Sequence, residues 1–269
     1  MNSENFVFAF GLTVFAGLST GIGSAMAFLS KNFNPKFLAG SLGFSAGVMI
    51  YVSLIEIFPK AKDSLTLLYG DKQGYWLTVL AFFGGIALIA LIDWVVPSYK
   101  NPHELKNFDY SDSDDIIHNK KLIRMGIFSA IAIAIHNFPE GLATFIAALQ
   151  NPSLGVSIAV AIAIHNIPEG IAVSVPIYFA TKSRKKAFVH SFLSGLAEPV
   201  GAIVGYFLIL RIFSEAIFGI IFASVAGIMV YISLDELLPT AEEFGEHHVA
   251  IYGLIAGMAL MAISLLLFV

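Results

Sequence analysis

The chain has 269 residues, of which 57% are hydrophobic and only 13% are charged, and its mean hydropathy is +0.82. Soluble globular proteins carry about 25% charged residues, so this composition excludes a water-soluble domain and indicates an integral membrane protein. The net charge of −4 without a basic block argues against nucleic acid as a partner, and the absence of cysteine excludes disulfides and thiolate metal sites.

Eight apolar stretches follow one another along the chain, and each is long enough to span a lipid bilayer as a helix. They cover residues 6–29, 37–58, 75–96, 122–149, 153–180, 187–210, 216–238 and 249–268. The stretches are continuously apolar rather than alternating, which argues against a lipid-facing β-barrel. The sequence therefore predicts one all-α transmembrane domain over residues 1–269, with a mobile, solvated cytoplasmic loop at 98–121.

The basic residues are distributed unevenly between the two sides of the predicted membrane. If the N-terminus lies outside, the cytoplasmic connections hold eleven of the 15 Lys and Arg, and the outer connections hold four. Loops rich in Lys and Arg stay in the cytoplasm. We therefore expect both termini to face outward.

Two internal repeats organise the chain. The segment AGVMIYVSLIEIFPKA, which starts at Ala46, recurs as AGIMVYISLDELLPTA from Ala226, with nine of sixteen positions identical. The segment AIAIAIHNFPEGLA, which starts at Ala130, recurs as AVAIAIHNIPEGIA from Ala159. In the predicted topology both pairs run in opposite directions across the membrane, and such inverted repeats are common in secondary transporters.

Six ionisable residues lie deep in the predicted helices, where each costs about 2.5–3.5 kcal/mol on insertion scales. They are His136, Glu140, His165, Glu169, His190 and Glu198. His136 and Glu140 are four residues apart, as are His165 and Glu169, so each pair shares one helix face.

Asn137 and Asn166 add an amide oxygen on the flank of each of these faces. Imidazole nitrogens and carboxylate oxygens suit zinc and other first-row divalent ions. A divalent cation would also neutralise carboxylates that lipid cannot solvate. The pattern therefore predicts an intramembrane site for a divalent metal ion.

The doubled HNFPEG and HNIPEG motifs, the segment SGLAEPVGA and the long loop before the fourth helix resemble those of the ZIP family (Zrt/Irt-like proteins) of divalent metal transporters, in particular a bacterial branch. The resemblance implies eight helices in a 3+2+3 arrangement in the plasma membrane, metal transport towards the cytoplasm, and two adjacent metal sites. Carried over by motif, one site comprises His136, Glu140, His165 and Glu169. The other comprises Asn137, Glu140, Asn166, Glu169 and Glu198.

Four further residues are candidates for the transport pathway. Family members can place a second-helix residue against the metal centre, and either Met49 or Glu56 matches it, but these residues are two turns apart and only one can lie at that depth. Met49 also suits an ordinary apolar core. Glu56 and Glu236 occupy equivalent positions in the first repeat, so we interpret them as entrance and exit carboxylates. For His190, a ligand on the exit path and a satisfied polar histidine are equally compatible with its position.

The main alternative function is an intramembrane zinc metalloprotease. Such an enzyme typically carries HExxH, whereas Asn follows each histidine here. The ligand types accept Zn²⁺, Fe²⁺, Mn²⁺, Co²⁺ and Cd²⁺. The resemblance favours Zn²⁺ and implies that the ion is transported rather than held as a cofactor. The sequence leaves the oligomeric state open, with a homodimer among the options.

Overall fold

The computed structural model describes residues 3–27, 34–95, 115–212, 214–244 and 247–266. These residues form helices joined by short connections, with no β-strand among them. The helices are α1 (Ser3–Ala27), α2 (Pro35–Val52), α3 (Phe58–Tyr69), α4 (Asp71–Val95), α5 (Asp115–Gln150), α6 (Pro152–Thr181), α7 (Arg184–Gly195), α8 (Ala197–Ile212), α9 (Glu215–Ile232), α10 (Leu238–Phe244) and α11 (His247–Leu266).

The all-α membrane fold predicted from hydropathy is confirmed. Within the described residues, seven helical segments are long and apolar enough to cross a membrane. The remaining predicted span, 122–149, lies within α5. Every other predicted stretch is also helical where it is described, apart from a turn at Leu196.

The helix α5 begins at Asp115, inside the segment predicted to be a loop. The loop prediction is therefore wrong for residues 115–121, while residues 98–114 lie outside the described residues. A helix that is already formed extends at little cost, because each added residue gains one backbone hydrogen bond without a new nucleation step. The polar residues of 115–121 thus continue the transmembrane helix.

The sequence did not predict the π-helical turns in two of the spans. Ser53–Ile57 joins α2 to α3, and Ser233–Leu237 joins α9 to α10. The two turns occupy equivalent positions in the two copies of the repeat that start at Ala46 and Ala226. Each turn carries one of the predicted pathway carboxylates, Glu56 or Glu236. π turns are rare and concentrate at functional sites.

The sixth span is interrupted where its proline predicts a lost hydrogen bond. Pro199 has no N–H to donate to the carbonyl of Gly195, and the chain turns at Leu196 between α7 and α8. Pro139 and Pro168 instead lie inside the continuous helices α5 and α6. The break places Glu198 in the first turn of α8.

The described helices pack in two groups. In one group α1, α5 and α7 pack against α6 while α8 packs mainly on α5, and in the other α2, α3, α4, α9, α10 and α11 pack together. Most contacts between the groups join α2 to α6. Of the seven apolar helical segments named above, α6 is the most buried, with 78% of its apolar part buried.

Glycines allow close helix contacts that repeat with the sequence. A Cβ on Gly47 of α2 would collide with the carbonyl oxygen of Leu254 on α11. A Cβ on Gly227, the repeat equivalent of Gly47, would collide with the carbonyl oxygen of Phe82 on α4. The α2–α11 and α9–α4 pairs therefore use the same packing, which is typical of small residues at membrane helix interfaces.

Two adjacent glycines of α4 test this packing. A Cβ on Gly85 would collide with the carbonyl of Ser224 on α9, whereas a Cβ on Gly84 would meet no atom within 4 Å. We expect Gly85→Ala to lower the melting temperature in detergent, because overpacking costs about 1–3 kcal/mol and exceeds the helix-propensity gain of about 1 kcal/mol. The matched variant Gly84→Ala should melt at or above the wild-type temperature, and equal melting of the two variants would contradict the packing.

Candidate metal centre

The two HNxPEG motifs lie on α5 and α6, which pack against each other along their length. The side chains of Asn137, Glu140, His165, Asn166 and Glu169 are all buried. The spacing of each motif presents them on one helix face, and that face points into the bundle rather than towards lipid. The structure thus buries five of the seven predicted ligands on two helices that pack against each other.

The side chain of His165 contacts the carboxylate of the other motif. Its Nε2 lies 3.2 Å from Oε2 of Glu140, and both side chains are fully buried. The contact joins a histidine of α6 to a carboxylate of α5. The predicted first site therefore has a cross-helix core.

The third predicted carboxylate, Glu198, enters the centre from α8. Its Oε1 accepts a hydrogen bond from Nδ2 of Asn166, and the carboxylates of Glu140 and Glu169 are its charged neighbours. Glu198 is fully buried. Three acidic side chains from α5, α6 and α8 therefore share one buried region.

The two asparagines also tie the motifs to neighbouring helices through the backbone. Nδ2 of Asn137 donates to the carbonyl oxygen of Ser194 on α7 at 3.3 Å. Nδ2 of Asn166 donates to the carbonyl oxygen of Ala16 on α1 at 3.0 Å. These bonds fix each amide so that its oxygen is turned away from the carbonyl and remains available as a ligand.

Ser45 of α2 belongs to the site, although the sequence analysis did not identify it. Its Oγ lies 3.3 Å from Oε1 of Glu169 and 3.3 Å from the carbonyl oxygen of His165. The residue carries no distinguishing local pattern, and it lies 120 positions from His165 in the chain. It connects the second group of helices to the metal centre.

Four oxygens in this region are buried without a hydrogen-bond donor among the described residues. They are Oδ1 of Asn137, Oε1 of Glu140, Oδ1 of Asn166 and Oε2 of Glu198. An unsatisfied buried polar group normally costs about 1–3 kcal/mol, and more if it is charged. All four are acceptors of the kind that bind hard and borderline divalent cations.

The glycine that follows each motif glutamate allows a close approach by a further helix. A Cβ on Gly141 would collide with the carbonyl oxygen of Glu198 on α8, and one on Gly170 would collide with that of Thr20 on α1. The approach at Gly141 brings the backbone of Glu198 against the α5 motif. It therefore helps to place the third carboxylate.

The pathway candidates lie in different environments. Met49 is fully buried in the main hydrophobic core, and Glu236 is nearly buried. Glu56 is half-buried and lines a cavity of about 280 Å³ together with Lys60, Asn151 and Ser157. His190 is half-buried, and its Nδ1 lies 2.8 Å from the carbonyl oxygen of Lys186.

Among the described side chains, no group of three or more His, Asp or Glu is closely enough arranged to hold a metal ion. The side chain of His136, a predicted ligand of the first site, lies outside the described part of the structure. The amide oxygens of Asn137 and Asn166 come from a residue type that this group of His, Asp and Glu does not include. The structure thus shows a buried set of potential metal-binding atoms rather than a closed coordination shell.

Known proteins resemble the chain over nearly its whole length. A family model described as ZIP zinc transporter matches residues 97–265. The zinc transporter ZupT of Chlorobaculum parvum is 68% identical over 266 residues, which cover 99% of each chain. The zinc transporter ZupT of Streptococcus mutans is 64% identical over 99% of this chain and 100% of the relative. With a family model matching more than half of its residues and such relatives along its full length, the chain belongs to the ZIP family.

Proposed function

We propose that the protein transports divalent transition-metal ions, zinc foremost, across the membrane into the cytoplasm through the centre between α5, α6 and α8. The four buried oxygens that lack a donor among the described residues carry this proposal. A bound cation would satisfy these oxygens and reduce the repulsion between the three carboxylates. Water or lipid cannot do both in a buried site.

The first proposed ion binds His136, Glu140, His165 and Glu169. Two ligands of a tetrahedral zinc ion, each about 2.0–2.1 Å from the metal, lie about 3.3 Å from each other. The 3.2 Å between Nε2 of His165 and Oε2 of Glu140 fits that ligand pair. The same separation fits a hydrogen bond, so the metal-free and metal-bound sites need little rearrangement here.

The second proposed ion binds Asn137, Glu140, Asn166, Glu169 and Glu198. All these ligands are oxygens, so this site has a harder character than the first. Glu140 and Glu169 would bridge both ions with their two carboxylate oxygens. Two dications next to three carboxylates leave a small positive charge, which favours release over permanent binding.

The ligand types also accept Fe²⁺, Mn²⁺, Co²⁺ and Cd²⁺. Zinc is proposed as the main substrate because it suits the nitrogen and oxygen ligands of the first site and because the similar proteins in Chlorobaculum parvum and Streptococcus mutans are zinc transporters. The ion is a transported substrate rather than a cofactor. Transport also accounts for the doubled motif better than the metalloprotease alternative, which nothing in the family comparison supports.

We further propose that the 1–269 domain lies in the plasma membrane with both termini outside. The excess of basic residues on the predicted cytoplasmic side, which includes the segment 98–121, supports this orientation. The cavity at Glu56 would then open outward and collect ions, while Glu236 would lie on the exit side. Met49 and His190 would line the route between these ends.

The shared carboxylates give the most direct test of the transport site. Replacing Glu140 or Glu169 with Ala would remove a ligand from both ions, so we expect zinc uptake into proteoliposomes to fall to the level of empty liposomes. The matched control is Asp71→Asn, which removes an exposed carboxylate at the start of α4. Wild-type uptake by either glutamate variant, at equal reconstitution, would refute the site.

The two ions are distinguished by ligands that each contacts alone. Glu198→Gln leaves all proposed ligands of the first ion in place, so we expect slower zinc uptake rather than none. His136→Ala removes a nitrogen ligand, so we expect a reduced preference for zinc over manganese. Zinc and manganese uptake would be measured in parallel, and an inactive Glu198→Gln or an unchanged preference in His136→Ala would contradict this division.

The orientation is tested by labelling single cysteines, since the native chain has none. We expect an impermeant thiol reagent to label Lys72→Cys and a cysteine at the C-terminus in intact cells. It should label Arg184→Cys only after the cells are opened. Lys72 and Arg184 are both exposed, so accessibility in the folded protein does not separate them. Labelling of Arg184→Cys in intact cells would invert the topology.

A further inference from the structure

The helices α1 and α7 meet in a reciprocal contact. A Cβ on Gly17 of α1 would collide with the carbonyl oxygen of Gly195, and a Cβ on Gly195 of α7 would collide with that of Gly17. Reciprocal contacts of this kind are what a two-fold axis produces, because each partner presents the same position to the other. A pseudo-two-fold axis therefore passes between Gly17 and Gly195.

The polar contacts of the metal centre follow the same symmetry. The amide of Asn137 donates to the carbonyl of Ser194, and the amide of its repeat equivalent Asn166 donates to the carbonyl of Ala16. Ser194 and Ala16 immediately precede the two glycines on the axis. The α5 motif therefore meets α7 as the α6 motif meets α1.

The glycines of the motifs extend this correspondence to the acidic position of α8. A Cβ on Gly141 would collide with the carbonyl oxygen of Glu198, and a Cβ on Gly170, its repeat equivalent, would collide with that of Thr20. Thr20 follows Gly17 by three residues, and Glu198 follows Gly195 by three. Thr20 on α1 thus occupies the position that Glu198 occupies on α8.

The hydroxyl of Thr20 is buried and, within the described residues, has no hydrogen-bond partner. The buried helical threonines Thr13 and Thr78 donate to the carbonyl one turn earlier, at 3.1 and 2.8 Å, whereas the hydroxyl of Thr144, like that of Thr20, has no partner among the described residues. The corresponding carbonyl for Thr20 is that of Ala16, which instead accepts hydrogen bonds from the amide of Asn166 and the hydroxyl of Ser19. The Thr20 hydroxyl is therefore released from its own helix.

The side chain of Thr20 lies against the same part of α7 that holds Asn137. A Cβ built on Gly195 would lie 3.0 Å from Oγ1 of Thr20, and the preceding residue, Ser194, accepts the hydrogen bond from Asn137. The oxygen of Thr20 thus lies at the α1–α7 contact, beside the residue whose carbonyl holds Asn137, a proposed ligand of the second ion.

We infer that Thr20 is a further ligand residue of the second ion site, where its neutral hydroxyl oxygen faces the ion opposite the Glu198 carboxylate. This inference rests on the proposed function and adds a ligand position on α1. A fourth carboxylate there would balance two dications completely and hold them tightly. The hydroxyl instead supplies an oxygen without charge, so the ions remain bound weakly enough to be released.

Metal binding by the purified protein in detergent tests the position, with zinc and manganese measured separately by competition with a chelating dye. We expect Thr20→Val to weaken ion binding at the second site by about tenfold, because it keeps the shape of the side chain and removes the oxygen. Thr20→Ser should restore it. Thr13→Val, a buried hydroxyl of α1 that bonds to its own helix, is the matched control and should bind as the wild type.

An exchange of the two symmetric residues gives the sharper test. Glu198→Thr alone should lose the second ion, whereas the double variant Thr20→Glu/Glu198→Thr should regain it, because the carboxylate returns to the site from α1. The single variant Thr20→Glu should bind the ions at the two proposed sites more tightly, and transport them more slowly, than the wild type. A purely structural role for Thr20 would give no rescue.

The outcomes separate this inference from the proposed function. If wild-type protein binds zinc while Thr20→Val binds it equally well and the exchange variant stays as weak as Glu198→Thr, the role of Thr20 is refuted and the transport site stands. If wild-type protein binds no zinc, or if Glu140→Ala binds zinc normally, the proposed transport site is refuted, and the role of Thr20 is refuted with it.

Discussion

The structure depends on the burial of three carboxylates, those of Glu140, Glu169 and Glu198, inside an apolar helix bundle. Each charge would cost several kcal/mol if it were left alone at that depth. The described contacts reduce this cost with one histidine nitrogen, one amide and one hydroxyl, from His165, Asn166 and Ser45. Within the described residues, Oε1 of Glu140 and Oε2 of Glu198 still have no hydrogen-bond donor. The proposed metal ions would bind these remaining oxygens and offset the carboxylate charges. The site would therefore be more stable with the ions bound than without them.

Close helix packing makes this arrangement geometrically feasible. Glycines at the crossings let backbone meet backbone, so that short side chains such as Asn and Ser reach across to a neighbouring helix. The helix α6 gains most from this, since α1 and α5 pack on it from one group and α2 from the other. Ser45 lies at that last contact. The metal centre is consequently held by both groups of helices, although its predicted ligands all belong to one.

The membrane-spanning helices and part of the metal centre could be predicted from the sequence, because a bilayer requires long, continuously apolar segments. Bilayer thickness sets the length of an apolar stretch, so the eight spans were visible, and the four-residue spacing of His165 and Glu169 set their common face. Ser45 was missed because its partner is distant in the chain and serines on buried helices are common. The π turns at Ser53–Ile57 and Ser233–Leu237 were missed because they depend on backbone hydrogen bonds that hydropathy does not encode. Thr20 became distinguishable only when its symmetry with Glu198 was seen.

The two π turns also constrain how the chain can change in length. A π turn accommodates one residue more than an α-helical turn, and in an uninterrupted helix that residue would rotate everything beyond it by about 100°. The π turn at Ser53–Ile57 therefore absorbs this residue and preserves the packing of α3 on α4 and α9. A one-residue deletion within the turn would convert it to an α-helical turn and leave α3 facing the same neighbours, whereas a deletion elsewhere in α2 or α3 would rotate the helix beyond it by about 100°. The two copies of the repeat differ at seven of their sixteen positions, yet each has a π turn of five residues at the same place, so the turn tolerates different side chains at a fixed length.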